Sequence, residues 1–273
     1  MRNFAIVVAV LFLVIFSMPA AGQTPECQTS ASQTSEDDED IRAQSQPRAR
    51  EILVGRMAAA EYETVIKLFC DHTVQEYVNR ITQTVARGSN TRVPITIKIV
   101  DSNGVNAISF PGGFLYVNTA LILAVESEAE IAGIVAHEIA HVVAGDGMRG
   151  KALTLGAGAE VTPIPDGVNG MGEIDGYLVP LKYLGSRMET EADIKAIRYL
   201  QKSGYSPRAM ITFLERMRSK EQTGPNSVLR LFQSHPPTTE RIQRIRQRIG
   251  FPSATQPVAD AELQKIKELL RAY

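Results

Sequence analysis

The stretch Ser127-Glu-Ala-Glu-Ile-Ala-Gly-Ile-Val-Ala-His137-Glu138-Ile-Ala-His141-Val-Val-Ala-Gly145 decides how the chain is read. Ser127 and Glu130 have the spacing of a capping box, and Gly145 stands where a left-handed C-terminal cap belongs. The spacing therefore predicts a helix over residues 128–144. His137 and His141 are one turn apart, so their Cβ atoms share a face at roughly 5–6 Å, a span that one zinc ion bridges. Ile131, Val135, Ile139 and Val142 fall on the opposite side and need burial. Glu138 adjoins the histidine face without being a ligand, where its carboxylate can act as general base toward water. The chain has only four histidines, and burying two of them beside a glutamate with no metal would strand polar groups. A zinc site therefore outweighs a merely hydrogen-bonded core pair.

A catalytic zinc takes three protein ligands and keeps one position open. Gly147 stands where a metzincin would place its third histidine, which excludes that class. A later helix, expected from Tyr177 to Gln201, offers Glu189 and Glu191. Glu189 shares a stripe with Asp193, Ala196, Ile197 and Leu200, whereas Glu191 shares its face with Lys195, Arg198 and Lys202. Glu189 is thus the expected third ligand. Asp193, one turn on, is expected to accept a hydrogen bond from a ligand histidine and fix its tautomer.

The 273 residues, 44% hydrophobic and 22% charged, can bury one sizeable core, and a formal net charge of −1 gives no basis for a nucleic-acid partner. Residues 1–22 read as a signal peptide, with an apolar run from Ala5 to Phe16 and small residues at Ala20-Ala21-Gly22, so an exported, periplasmic protein is expected. Residues 23–47, including the run Glu36-Asp-Asp-Glu-Asp40, read as a disordered acidic leader. Cys27 and Cys70 would then share an oxidising compartment, though two cysteines are weak evidence for a bridge.

The catalytic domain is expected over residues 48–250 and an amphipathic tail over 251–273. Its first helix is expected from residue 48 to 69, with an apolar stripe through Ile52, Met57, Ala60, Tyr62, Ile66 and Phe69. Asp71 should cap a second helix bearing Val74, Tyr77, Val78, Ile81 and Val85. A strand over residues 94–100 precedes two extended pieces around Pro111-Gly112-Gly113, which read as a hairpin. The strand Phe114, Leu115, Tyr116, Val117 and Asn118 leads to the histidine helix, and its edge is the expected place for an extended peptide substrate. Nine of the twenty glycines lie between Gly145 and Gly176, a segment expected to act as a lid. Further on, Arg241, Arg244, Arg246 and Arg248 alternate with Ile242, Ile245 and Ile249 and are expected to face solvent.

Asn106-Ala107 with Pro111-Gly112-Gly113, then His137-Glu138-Ile-Ala-His141, then Ser186-Arg187-Met-Glu189-Thr-Glu-Ala-Asp193, then Ser234-His235-Pro236 follow one another in a specific order. In these motifs the chain resembles the gluzincin metallopeptidases that include the CAAX prenyl protease, HtpX and the Oma-type proteases. The resemblance implies a zinc endopeptidase with one Zn2+ per chain and Glu189 as third ligand. It also implies an α+β, mostly α, zincin-like fold with a small sheet or hairpin beside the zinc helix. Without internal hydrophobic spans, the chain looks like the soluble exported branch, with an envelope membrane protein as a candidate partner. The 23 residues after Gly250 are too few for the tetratricopeptide repeats of some members.

These observations point to hydrolysis of peptide bonds in unfolded or misassembled envelope proteins, with Glu138 as base. Two rivals are a chaperone-like protein with a latent zinc site and a zinc-stabilised interaction module. His235 is presented from a corner stiffened by Pro236 and Pro237, and three roles are open to it: a latch on the zinc, a donor to the oxyanion, or a brace of the corner.

Overall fold

Helix α1 (Pro47–Val65) lies against the tight turn Pro111–Gly113 through its smallest residues. A Cβ on Gly55 would stand 1.7 Å from the Pro111 carbonyl oxygen, so only glycine allows the two backbones to meet. Ala58, Ala59 and Tyr62 are buried on the same side, whereas Met57 is 65% exposed. The apolar stripe is thus rotated from the expected one, because backbone approach at Gly55 selects the small face. The helix also stops at Val65, short of the expected 69. Beyond it the chain is extended: Leu68 bridges Val100, and the Phe69 N–H donates to the Ile99 carbonyl at 2.8 Å.

The computed structural model describes residues 47–148, 186–223, 235, 238–249 and 260–273. The expected signal, most of the acidic leader and Cys27 lie outside the described residues, as does the greater part of the expected lid.

Asp71 caps α2 (His72–Ser89) as expected, accepting from the Val74 N–H at 3.0 Å, and Val74, Tyr77, Val78, Ile81 and Val85 are all buried. Three strands follow, β1 (Thr96–Val100), β2 (Ala107–Phe110) and β3 (Phe114–Asn118), in the order β1-β3-β2. β2 and β3 form the expected hairpin, with Phe110 opposite Phe114. β1 runs parallel to β3 on its other side, Thr96 opposite Phe114. β3 is therefore the central strand, and the expectation that Phe114 to Asn118 offer an edge to a peptide is corrected: both of its hydrogen-bonding edges are taken. Glu63 ties α1 to this sheet, accepting from the Tyr116 hydroxyl and the Lys98 ammonium, each at 2.6 Å.

Helix α3 (Thr119–Ala124) leads into α4 (Glu128–Ala144), the helix of the histidine pair. Ile131, Val135, Ile139 and Val142 are buried as their spacing required, and Gly145 closes the helix at φ 68°, donating to the carbonyls of His141 and Val142. The start differs from a capping box. The Ser127 side chain makes no cap bond, and the Glu130 carboxylate accepts from the Glu126 N–H at 2.7 Å. Glu130 is also recruited by a tertiary ion pair with Arg216 and a 2.9 Å hydrogen bond from Thr212.

Four further helices complete the fold, α5 (Ser186–Lys202), α6 (Arg208–Thr223), α7 (Thr239–Ile249) and α8 (Ala261–Ala272), with α5 and α6 packed on α4 and α7 packed on both of them. Ala192 and Ala196 are buried on α5, and such small residues let its backbone come close to α4. Leu263, Ile266 and Leu270 of α8 enter the same hydrophobic core as α2 and α4, each fully buried side chain of this kind contributing roughly 1.5–3 kcal/mol. α8 is locked further by Asp260, which accepts from the Glu128 N–H at 3.2 Å, and by Lys267, whose ammonium donates to the Val125 carbonyl.

Candidate metal centre

The α4 face turned toward α5 carries His137 and His141, both buried, with ring centroids 4.6 Å apart. Each ring is fixed from behind. His137 Nδ1 lies 3.1 Å from Asp193 Oδ1, and His141 Nδ1 lies 2.9 Å from Asp146 Oδ2. A proton held on Nδ1 by a carboxylate leaves each Nε2 with its lone pair toward the centre.

The forward-facing atoms form a compact polyhedron. His137 Nε2 and His141 Nε2 are 3.0 Å apart, and they lie 3.3 and 3.4 Å from Glu189 Oε2 and Oε1 respectively. His235 Nδ1 is 2.9 Å from Glu189 Oε1 and 3.2 Å from His137 Nε2. Nitrogen and oxygen donors about 2.0–2.1 Å from a tetrahedral ion would stand roughly 3.3 Å from one another, so these four side chains fit a zinc-sized ion. Among the described residues they form the one such metal-capable cluster. Glu189 Oε2 supplies an independent sign: it is buried without a hydrogen bond, although Arg241 Nη1 is 3.2 Å away. A buried carboxylate oxygen that accepts no hydrogen bond, although it faces an imidazole and a guanidinium, keeps lone pairs that a metal ion can take.

The structure therefore brings His137, His141, Glu189, Asp193 and His235 together around one point. Glu138 stands at its edge, with Oε1 3.5 Å from His235 Nε2 and Oε2 accepting a 2.8 Å hydrogen bond from the Ser109 hydroxyl on β2. Phe114 to Asn118 are held in the middle of the sheet. Glu191 is out of the cluster, half-exposed and paired with Arg187 at 3.0 Å, as its face foretold.

Three participants were missed by the sequence reading. Arg241, expected on a solvated arginine face, is buried and donates to both carboxylate oxygens of Asp193 at 2.8 Å. Its spacing held the signal: it lies one turn before the buried Ile245, on the apolar stripe of α7 rather than with the exposed Arg244, Arg246 and Arg248. Asp146 has no periodic signature, because the left-handed turn at Gly145 folds it back onto His141. Ser109 is one inward position of a short strand and carries no distinguishing pattern.

The electrostatics follow from this packing. Burial opposes ionisation of Glu189, but the histidines His235 and His137 outweigh it and hold the carboxyl far below the usual carboxylate range. Burial likewise works against Asp193, and the Arg241 guanidinium with His137 overrides it, keeping Asp193 ionised. For His141, burial lowers the pKa, yet hydrogen bonds to Asp146 and Glu189 and the charge of Glu138 raise it to about 9.

A histidine pair and glutamate on one buried helix, with a carboxylate from a second helix beside a small sheet, form the arrangement of a zincin-like domain. The chain belongs to Peptidase family M48, whose family model matches residues 72–249. It is similar to the beta-barrel assembly-enhancing protease of Escherichia coli (strain K12), 28% identical over 220 residues that cover 74% of this chain and 45% of that one. The metalloprotease LoiP of the same organism is 28% identical over 186 residues, 64% of this chain and 71% of the relative. The mitochondrial metalloendopeptidase OMA1 of Schizosaccharomyces pombe (strain 972 / ATCC 24843) is 26% identical over 203 residues, 70% of this chain and 60% of the relative. The chain spans about half the length of the first of these.

Proposed function

We propose that the chain is an exported zinc metalloendopeptidase that hydrolyses peptide bonds of unfolded or misassembled polypeptides in the cell envelope. The observation that carries this reading is the set of donor atoms from His137, His141, Glu189 and His235 within 4.8 Å of one another, with the Glu138 carboxylate beside them. The beta-barrel assembly in the name of the first relative and the signal-like stretch over residues 1–22 support the envelope setting. Among the described residues no helix is long and apolar enough to cross a membrane.

His137, His141 and Glu189 would hold the zinc. When bound, the ion supplies a Lewis acid that polarises a peptide carbonyl and lowers the pKa of water. Glu138 takes the proton of the attacking water as the new carbon–oxygen bond forms, and delivers it to the amine nitrogen as the carbon–nitrogen bond breaks. Ser109 fixes the rotamer of that carboxylate. Asp193 and Asp146 hold the two imidazoles in the ligating tautomer, and Arg241 keeps Asp193 ionised and aimed. An extended substrate lies along β2, the outer strand next to the base, rather than along β3.

The test is Glu138→Gln in the full chain, assayed on denatured casein with metal analysis alongside. Retained zinc with cleavage lost is the expected result, and zinc lost together with activity would overturn the assignment of Glu138 as base.

A second reading has one specific observation in its favour. His235 Nδ1 stands among the donor atoms, 3.2 Å from His137 Nε2 and 2.9 Å from Glu189 Oε1, where it would compete with water for the ion, and this suits a latent site in a chaperone-like protein of envelope quality control. Absence of turnover on denatured protein by the zinc-loaded wild type, restored in His235→Ala, would favour it.

A further inference from the structure

The Glu138 carboxylate is held from β2, the strand that packs on α4. The Ser109 hydroxyl donates to its Oε2 at 2.8 Å, and both residues are 4% exposed, so little water competes for that bond. A glutamate on a helix has several rotamers open to it, and one buried donor selects among them. The place of Ser109 therefore decides where the carboxylate points. Ser109 itself lies two residues before Pro111, the first residue of the tight turn that ends β2.

That turn is wedged from two sides. On one side stands α1. A Cβ on Gly112 would lie 2.6 Å from the Ile52 Cα, Gly55 meets the Pro111 carbonyl oxygen with no room for a methyl group, and the Gly112 N–H donates to Glu51 Oε1 at 3.3 Å. On the other side stands Gly147, just past the end of α4, where a Cβ would come 3.0 Å from Pro111 Cγ. Where α1 touches the turn, backbone meets backbone, and such atoms cannot rotate away as a side chain does. Close-packed contacts of this kind transmit displacement. A shift of α1 is a shift of the turn, and the short strand that ends in the turn follows it.

The turn is also the route from α1 to the centre. Glu51, Ser109, Pro111 and His141 border a cavity of about 210 Å³, so space rather than packed side chains lies between Glu51 and the histidine face. What α1 imposes on the centre passes along the backbone of Pro111 and Phe110 to Ser109.

We propose that α1 sets the general base from outside the site: seated by Gly55 on Pro111, it fixes the turn, the turn fixes β2, and the Ser109 hydroxyl carries that placement to Glu138. Ser109 and Gly55 are positioning residues in this scheme, and neither touches the substrate. The inference rests on the peptidase reading above, in which Glu138 is the base.

Rates on denatured casein are measured with the zinc-loaded full chain. Ser109→Ala should lower kcat by about 10- to 100-fold with KM and zinc content unchanged, the range that supporting contacts and misplacement by about 1 Å command. Ser109→Thr, which keeps the hydroxyl, should recover most of the loss. Gly55→Ala should lower kcat by about 10-fold in the wild type but by less than about 2-fold once Ser109 is alanine, because the link is already cut. The losses of urea stability from the same two substitutions should add, since the seat of α1 does not involve the hydroxyl. Additive effects on kcat, a kcat unchanged by Ser109→Ala, or equal falls in the alanine and threonine variants would overturn the proposal.

A binding measurement separates the two layers. Acetohydroxamate chelates zinc and donates a hydrogen bond to a carboxylate beside it, so its affinity for the zinc-loaded chain reads the place of Glu138 without turnover. Calorimetry should show binding weakened by about 10-fold in Ser109→Ala and in Gly55→Ala, and by no more than that in the double variant. This pattern supports the scheme even if casein is left intact, which would sink only the peptidase reading. Cleavage of casein together with equal acetohydroxamate binding by all four proteins would sink the role of α1 and Ser109 alone.

Discussion

Arg241 holds Asp193 in a bidentate grip, with Nε to Oδ2 and Nη2 to Oδ1 both 2.8 Å, directly behind the ring of His137. The pair is buried on both sides, so removing the guanidinium strands a carboxylate away from water. Arg241→Met should lower the stability of the metal-free protein by about 3–5 kcal/mol in urea unfolding. Arg241→Lys should recover only part of this, because an ammonium cannot reproduce the planar fork. Full recovery by lysine would show that charge alone is needed there.

The two glutamates of α5 make a sharp contrast. Glu189→Ala should weaken zinc binding by at least about 10-fold in a chelator competition, since losses from supporting groups alone reach that size. Glu191→Ala, which removes a half-exposed partner of Arg187, should leave zinc affinity unchanged. The opposite pattern would move the ligand by two residues.

His235 is expected to restrain turnover. With its Nδ1 within 3.2 Å of His137 Nε2 and 2.9 Å of Glu189 Oε1, it would compete with water for the ion, so His235→Ala should raise the initial rate on denatured casein while zinc content stays at one ion per chain. A large fall in rate with zinc retained would assign it to the oxyanion instead, and unchanged kinetics would leave it as a brace of the corner.

Protons and metal compete at His141. In the metal-free protein its pKa is raised from 6.5 to about 9, so its stabilising contribution is complete below the unfolded value and is lost as pH rises through the folded one. Thermal unfolding in chelator should therefore show a Tm that declines between about pH 6.5 and 9. Asp146→Asn, which removes the nearest carboxylate, should flatten that decline. A decline of equal size in the variant would place its origin elsewhere.

Gly55 tests the seat of α1. Gly55→Ala sets a methyl group against the Pro111 carbonyl oxygen, a backbone atom that cannot rotate away. A loss of about 1–3 kcal/mol is expected in urea unfolding, the usual range for forced overpacking.

Much of the centre was legible because helical periodicity is a strong code. The four-residue spacing of His137 and His141, the apolar face behind them and the choice of Glu189 over Glu191 all follow from 3.6 residues per turn. The resemblance of the motifs placed the α+β fold. What escaped depends on events that leave no period. Asp146 returns to His141 only through a left-handed turn, and the place of β3 in the middle of the sheet depends on a parallel partner supplied by β1. Arg241 was lost for another reason: an arginine at a core position was assigned by residue type rather than by its register with Ile245.

The donors around the centre come from places far apart along the chain: His137 and His235 are 98 residues apart, and Glu189 and His235 are 46 apart. An ion bound there is thus also a reversible cross-link that closes two long loops, and loop-closure entropy makes such a staple matter most to the unfolded chain. On the proposed reading, a chain without its ion would lose this cross-link together with the proposed chemistry, so one loss would be read both as lower stability and as lower turnover.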